Sequence, residues 1–193
     1  MIETVRPIVL VDMDNVLADF DSELIKRLLK RYPNAELSKK RQHFYLEHDY
    51  PEYANCVPDI YREPGFFRSL PLARHAIVGW QRLLDLGYQP QICTAAEEDS
   101  FDIITEKADW LLEHFVPKFG RYVLDTMIAS RDKYLHSGIA LIDDNPNIHN
   151  TELASWQHII FDHPYNEGLA GPRLHGWNDD NLPNLLNDAM KLK

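Results

Sequence analysis

The chain is short of several things, and each shortage removes a class of protein. Its 193 residues include only two cysteines, Cys56 and Cys93, too few and too far apart for a disulfide framework, a zinc knuckle or a redox pair. Basic residues are scarce: 20 lysines and arginines against 30 acids leave a net charge of -10 and a pI near 5.3. A nucleic acid polymer or an anionic membrane calls for a broad basic face, so neither is expected as a partner. No apolar run approaches the length that spans a bilayer, and the run from Ile8 stops at Asp12, short of a signal segment. Low-complexity tracts and internal repeats are missing too. The expectation is a soluble, unprocessed, cytoplasmic protein of one substantial domain with a small insertion.

Apolar residues are plentiful, at 45% of the chain with 11% aromatic, enough for a packed core. Short continuous apolar runs at residues 8–11, 91–93, 127–129, 139–142 and 159–161 predict strands buried on both faces. Helical stripes lie between several of them: Ala73, Ile77, Trp80 and Leu84, ending near Gly87, then Phe101, Ile104, Ala108, Leu111 and Phe115, ending near Gly120. This alternation predicts an α/β fold with a doubly wound parallel sheet, and a closing helix is expected from Asn178. One interval is too long. From Val11 to Gln91 runs far more chain than the roughly 30 residues that a strand-helix-strand unit needs. The excess, residues 19–72, is expected to form a small helical cap inserted after the first strand, with 1–18 and 73–193 as the core. Nine aromatic residues, nearly half of those in the chain, fall between Phe20 and Phe67.

The chemistry lies where the apolar runs stop. Asp12 and Asp14 follow the first, Thr94 the second, Lys133 the third, and Asp143 and Asp144 the fourth. In an open parallel sheet, groups just beyond the carboxyl ends of strands share one edge, where ligands bind. Burying one unpaired carboxylate costs several kcal/mol, and crowding a second beside it adds repulsion, so a cation is expected there. Oxygen ligands without a histidine cluster suit magnesium better than zinc or copper. Magnesium also takes phosphate oxygens, and Thr94 and Lys133 complete a cradle for a phosphoryl group. One aspartate of the first pair can then attack phosphorus while the other handles the leaving group's proton.

The segments "LVDMDNVLADF", "ICTAA", "SRDKYLHSGIALIDDNP" and "PRLHGW" carry a resemblance in order and spacing. The ordered acids, threonine and lysine are similar to phosphatases of the haloacid dehalogenase (HAD) superfamily, and the whole set resembles the 5'(3')-deoxyribonucleotidases within it. That resemblance implies a HAD-like core and magnesium-dependent hydrolysis of nucleoside monophosphates through an aspartyl-phosphate on Asp12. It implies that Asp12 is nucleophile and metal ligand, and that Asp14 is the acid/base with its backbone carbonyl also on magnesium. Asp144 would be the direct third protein ligand, with Asp143 supporting it from behind. Thr94 and Lys133 would bind phosphoryl oxygens, and Phe20, Phe44, Tyr45 and Tyr61 would surround sugar and base.

Three positions depart from the resemblance and bear on substrate preference and rate: Asn15 where a glycine is common, Ala95 where a serine often binds phosphate, and Asn145 where an arginine can follow the acid pair. The expected partner is a small nucleoside monophosphate, and a homodimer is compatible with the chain. Alternatives stay open at this stage. They are a HAD phosphatase for another small phosphate ester, a phosphoacceptor signalling domain, and a noncatalytic nucleotide binder. Aromatics of a small cap must also pack its own core, so about half are expected to reach a ligand. Cys93 is expected to be a buried small apolar residue.

Overall fold

The computed structural model describes residues 6–37, 40–95 and 101–192, without the side chain of Phe101. Strand β1 is Ile8–Val11, followed by helices α1 (Phe20–Arg31), α2 (Leu46–Asp49), α3 (Val57–Tyr61) and α4 (Ala76–Asp85). Strand β2 is Gln89–Thr94, and α5 (Phe101–His114), α6 (Val116–Phe119) and α7 (Tyr122–Asp125) lead to β3 (Ile128–Ala129). Then come β4 (Ala140–Asp143), β5 (Gln157–Phe161), β6 (Arg173–Leu174) and α8 (Leu182–Lys191). No helix among the described residues is long and apolar enough to cross a membrane.

The strands form one six-stranded sheet in the order β3-β2-β1-β4-β5-β6, with every pairing parallel. Residues of β1 and β4 are almost wholly buried, as continuous apolar runs in a parallel sheet must be. The direction in which the sheet grows reverses at β1, which lies between β2 and β4. That reversal opens a crevice beyond the carboxyl ends of β1 and β4.

Between β1 and α4 the chain leaves the sheet and comes back. At the neck of this excursion Asp19 N–H donates to the Pro71 carbonyl at 2.8 Å and Ala73 N–H to the Leu17 carbonyl at 2.8 Å. α1 starts on a carboxylate cap, with Asp19 accepting from the backbone N–H of Ser22 at 3.0 Å. Leu24 and Leu28, four apart, are the buried face of α1. Buried Glu23 on the same helix is held below the usual carboxylate range: burial pushes it up, but hydrogen bonds from Arg27 and Lys26 prevail.

Two predicted stripes are displaced in the structure. α4 begins at Ala76, and its fully covered positions are Ala76, Gly79, Trp80 and Leu83, with Ile77 and Leu84 half-buried. α5 buries Lys107, Trp110 and Leu111 where Ile104 and Ala108 are only half-buried. A cation occupies the innermost turn, and a hydrophobic pattern assigns such a position to solvent. The closing helix starts at Leu182, four residues later than expected, since Asp179 accepts the backbone N–H of His175 and of Asn181 in a turn. β6 was not expected; two residues are too few to register as an apolar run.

Gly79 is glycine for lack of room. A Cβ there would lie 2.1 Å from the Trp177 ring, and that ring is fully buried with its indole N–H on the Val16 carbonyl at 2.7 Å. Gly79→Ala is therefore expected to lower unfolding free energy by about 1–3 kcal/mol, the usual effect of overpacking. Urea unfolding measures this directly, and a loss below about 0.5 kcal/mol would mean that Trp177 has space to move.

Candidate active site

Asp12 leaves β1 with its backbone N–H on the Ile142 carbonyl of β4 at 2.9 Å, which fixes it at the crevice. The chain then turns tightly: Leu17 and Ala18 N–H both donate to the Met13 carbonyl, at 2.9 and 2.8 Å. Met13, Val16, Leu17 and Ala18 are fully buried, so the turn hangs from the core by its apolar residues while Asp14 and Asn15 line a pocket. Asn15 takes the left-handed conformation at φ 56°, an uncommon one for a residue with a Cβ and one that asparagine tolerates better than most. That accounts for the glycine-like position it occupies in the sequence.

β4 brings Asp143 and Asp144 opposite Asp12. One carboxylate oxygen from each of the three lies within 4.8 Å of the others, and all three side chains are buried. Lys133 stands among them, donating to Asp12 Oδ1 at 2.5 Å and Asp143 Oδ2 at 2.6 Å. Burial pushes the Asp12 carboxyl up to about 7 even against the opposing pull of Lys133. Burial, with Asp143 and Asp12 nearby, raises Asp144 well above its ordinary value. Burial alone would lower Lys133, yet the Asp12 and Asp143 carboxylates reverse that and hold it firmly protonated. Cys93 is buried under the same cluster, its thiol pushed up to about 12 by desolvation.

The carboxylates differ in how they are engaged. Asp143 uses both oxygens, since Oδ1 accepts the Asn145 backbone N–H at 2.8 Å and Oδ2 takes Lys133. Asp144 Oδ2 accepts the Tyr165 hydroxyl. Among the described residues no hydrogen bond reaches Asp12 Oδ2 or Asp144 Oδ1. A buried acidic trio with one internal lysine, raised pKa values at Asp12 and Asp144, and two uncommitted oxygens fits a hard divalent cation.

The second acid, Asp14, belongs to a different pair. Lys107 Nζ donates to Asp14 Oδ2 and to Thr94 Oγ1, both at 2.7 Å, and to the Ala95 carbonyl at 3.1 Å. Asp14 Oδ1 is buried with no partner. Thr94, at the end of β2, is wholly buried and meets Lys107. Lys107 was absent from the sequence-derived site. A lysine inside an otherwise apolar helix face, three residues before a tryptophan, is the signal that could have found it.

One pocket joins the acids and Lys133 to the four aromatics singled out in the sequence, while Thr94 and Lys107 lie buried behind it and do not line it. Asp12, Asp14, Lys133, Asp143 and Asp144 line it together with Phe20, Phe44, Tyr45 and Tyr61. Phe20 packs edge-on against Phe66 at 5.2 Å and near Tyr61 at 6.0 Å, whereas Tyr45 is 54% exposed. Arg41 and Asp21 also line the pocket and were missed, because each looks like an ordinary surface charge in sequence.

A parallel sheet in this order, with acids at the ends of two neighbouring central strands and a lysine between them, defines a hydrolase fold of the HAD class. A HAD hydrolase from Entamoeba histolytica, family IA variant 3, superposes with a TM-score of 0.54 over 96% of this chain and 99% of that one. Identity is 18%, so that likeness concerns the fold alone. The family described as "5' nucleotidase, deoxy (Pyrimidine), cytosolic type C protein" matches residues 6–187, and the chain belongs to it. Human 5'(3')-deoxyribonucleotidase, cytosolic type, is 33% identical over 184 residues, which cover 89% of this chain and 90% of the human one. The mouse mitochondrial 5'(3')-deoxyribonucleotidase is also 33% identical, over 89% of this chain and 82% of its own.

Cation binding should be visible without any substrate. Magnesium or manganese at a hundredfold excess over its Kd is expected to stabilise metal-free protein by about 2.7 kcal/mol. Asp144→Asn should lose most of that gain. A parent protein whose thermal unfolding ignored both ions would remove the cation from the acidic trio.

Proposed function

We propose that this protein hydrolyses nucleoside monophosphates, deoxy or ribo, to nucleoside and phosphate through an aspartyl-phosphate on Asp12, with magnesium as cofactor. The observation that carries the proposal is the single pocket in which the acid-lysine cluster and four aromatic rings meet. Membership of a nucleotidase family supports it independently.

The hydrogen bonds support a division of labour among these residues. Asp12 attacks phosphorus through a carboxylate oxygen, forming the acyl phosphate as the bond to the nucleoside oxygen breaks. Lys133, already charged and buried beside it, faces the phosphoryl oxygens with a preorganised cation. Asp14 has Oδ2 held by Lys107, which leaves Oδ1 to give its proton to the departing nucleoside oxygen and afterwards to take one from the water that attacks the phosphorus of the acyl phosphate, breaking its bond to Asp12 and releasing phosphate. Thr94, fixed by Lys107 at the end of β2, helps bind the phosphoryl group. The Asp12 and Asp144 side chains and the Asp14 carbonyl would hold magnesium, with Asp143 supporting them through Lys133. When bound, the ion supplies positive charge that neutralises the acids and the phosphate.

Residues 19–72 serve as a cap on a core made of 1–18 and 73–193, and its rings at Phe20, Phe44, Tyr45 and Tyr61 enclose sugar and base. The substrate is a small molecule, and the protein acts in the cytoplasm, where its two free cysteines stay reduced; a homodimer is compatible with the chain.

The deciding experiment is a phosphate-release panel with magnesium over the common nucleoside monophosphates and several sugar phosphates. Activity on nucleotides is expected, with none above background in Asp12→Asn and a loss of roughly a hundredfold or more in Lys133→Ala. Turnover of sugar phosphates with no nucleotide accepted would overturn the substrate class and keep the chemistry.

The rings give a sharper check. Stacking on a base contributes about 1–3 kcal/mol by alanine substitution, so Phe44→Ala should lower kcat/KM for nucleotides by roughly 5- to 150-fold. It should spare p-nitrophenyl phosphate, which has no base. Equal losses on both substrates would reduce Phe44 to a packing residue.

A further inference from the structure

Tyr165 lies on the turn after β5, outside every motif that the sequence singled out, and it is buried at 8% exposure. Its hydroxyl sits between two groups whose roles are fixed by what else they bond. Asn15 Oδ1 accepts the backbone N–H of Asp21 at 3.1 Å, so the Asn15 amide must turn its nitrogen the other way. That nitrogen donates to Asp21 Oδ1 at 3.0 Å and to the Tyr165 hydroxyl oxygen at 3.2 Å. With its oxygen already accepting, the phenol sends its single proton to Asp144 Oδ2. The Asp144 backbone is tied down as well, its carbonyl accepting from Asn166 Nδ2 at 2.9 Å.

The ring is held as firmly as the hydroxyl. His163 stacks on it with centroids 5.0 Å apart and planes 3° from parallel, and His163 Nε2–H donates to the Asn15 carbonyl at 2.7 Å. The Arg41 guanidinium lies over the Tyr165 ring at 4.4 Å and pairs with the Asp21 carboxylate. Arg41 also donates to the carbonyl oxygens of His43 and Phe44, and the Phe44 ring meets Tyr165 edge-on at 5.7 Å.

We infer that Tyr165 is a positioning residue for Asp144: by occupying Oδ2 it presents Oδ1 alone to the cation, and Asn15 sets the direction of its hydroxyl. The inference rests on Asp144 being a cation ligand, as proposed above. Its physical basis is that a small octahedral ion needs a single, well-aimed oxygen from each carboxylate, whereas an unrestrained carboxylate can swing or chelate with both. Partners that orient ligands in this way change metal affinity by about 10- to 100-fold when removed. Asn15, one of the three departures from the family resemblance, thereby gains a task that glycine cannot perform.

The test is Mn2+ binding to metal-free protein, followed by the electron paramagnetic resonance signal of the free aqueous ion, with no nucleotide present. Tyr165→Phe keeps the ring against His163, Arg41 and Phe44 and deletes only the hydroxyl. Its Kd for Mn2+ is expected to rise about tenfold or more, while KM for the nucleotide at saturating Mn2+ stays within twofold of the parent. A Kd within twofold of the parent, or a parent that binds no Mn2+, overturns the inference. Should Tyr165→Phe fail to fold, Asn15→Gly decides, because glycine adopts φ 56° without strain and removes the directing N–H. Weaker Mn2+ binding in that variant upholds the inference, and unchanged binding overturns it. The binding measurement does not depend on which ester is hydrolysed. A parent inactive on nucleotides whose Mn2+ affinity still falls in Tyr165→Phe sinks only the proposed substrate.

Discussion

Everything in this molecule answers to three buried carboxylates at one crevice. Asp12, Asp143 and Asp144 repel one another in a place with little water, and a structure that assembles them must supply positive charge or accept protons. Lys133 supplies the only direct ammonium contact to the trio among the described residues, bridging Asp12 and Asp143. One cation for three acids leaves the balance incomplete: burial lifts Asp12 to about 7 and, with Asp143 and Asp12 nearby, raises Asp144 well above its ordinary value. The fold concentrates unmet negative charge where a divalent ion and a phosphoryl group would meet it.

Holding such a cluster requires rigid loops, and the four tryptophans do much of this. Each indole N–H has a partner, and three of those partners are loop carbonyls around the site. Trp177 bonds Val16 in the turn after Asp14, and Trp156 bonds the carbonyl of Lys133 itself, at 3.1 Å. Trp110 bonds Leu70, where the excursion rejoins the core. Large apolar rings thus deliver one directional bond apiece from the core to the segments that carry charge.

The two buried lysines divide the acids between them. Lys133 meets Asp12 and Asp143 at the β1–β4 crevice, and Lys107 takes Asp14 and Thr94 from the β2 side. Lys107 also lies 5.0 Å from the Phe67 ring, and its neighbour Glu106 accepts the backbone N–H of Gly65 and, at 3.0 Å, of Phe67. One turn of α5 therefore touches both the second acid and the returning end of the 19–72 segment.

The sequence by itself determined the parallel sheet and the convergence of Asp12, Asp14, Thr94, Lys133, Asp143 and Asp144. Both follow from local signals, because a continuous apolar run marks a doubly covered strand and a polar residue where it stops marks the edge that binds ligands. The family resemblance was equally legible in contiguous motifs, and the family match bears it out. Tertiary structure decided which acid meets which cation. Lys107 is 93 positions from Asp14, and Tyr165 is 150 from Asn15, separations over which no periodicity carries information. It also decided the displaced faces of α4 and α5, since Gly79 and Lys107 are innermost for reasons of ring clearance and ion pairing that hydrophobicity does not encode. Local pattern specifies where a chain is apolar and where it stops; the pairing of charges across the crevice exists only once distant segments have been packed against each other.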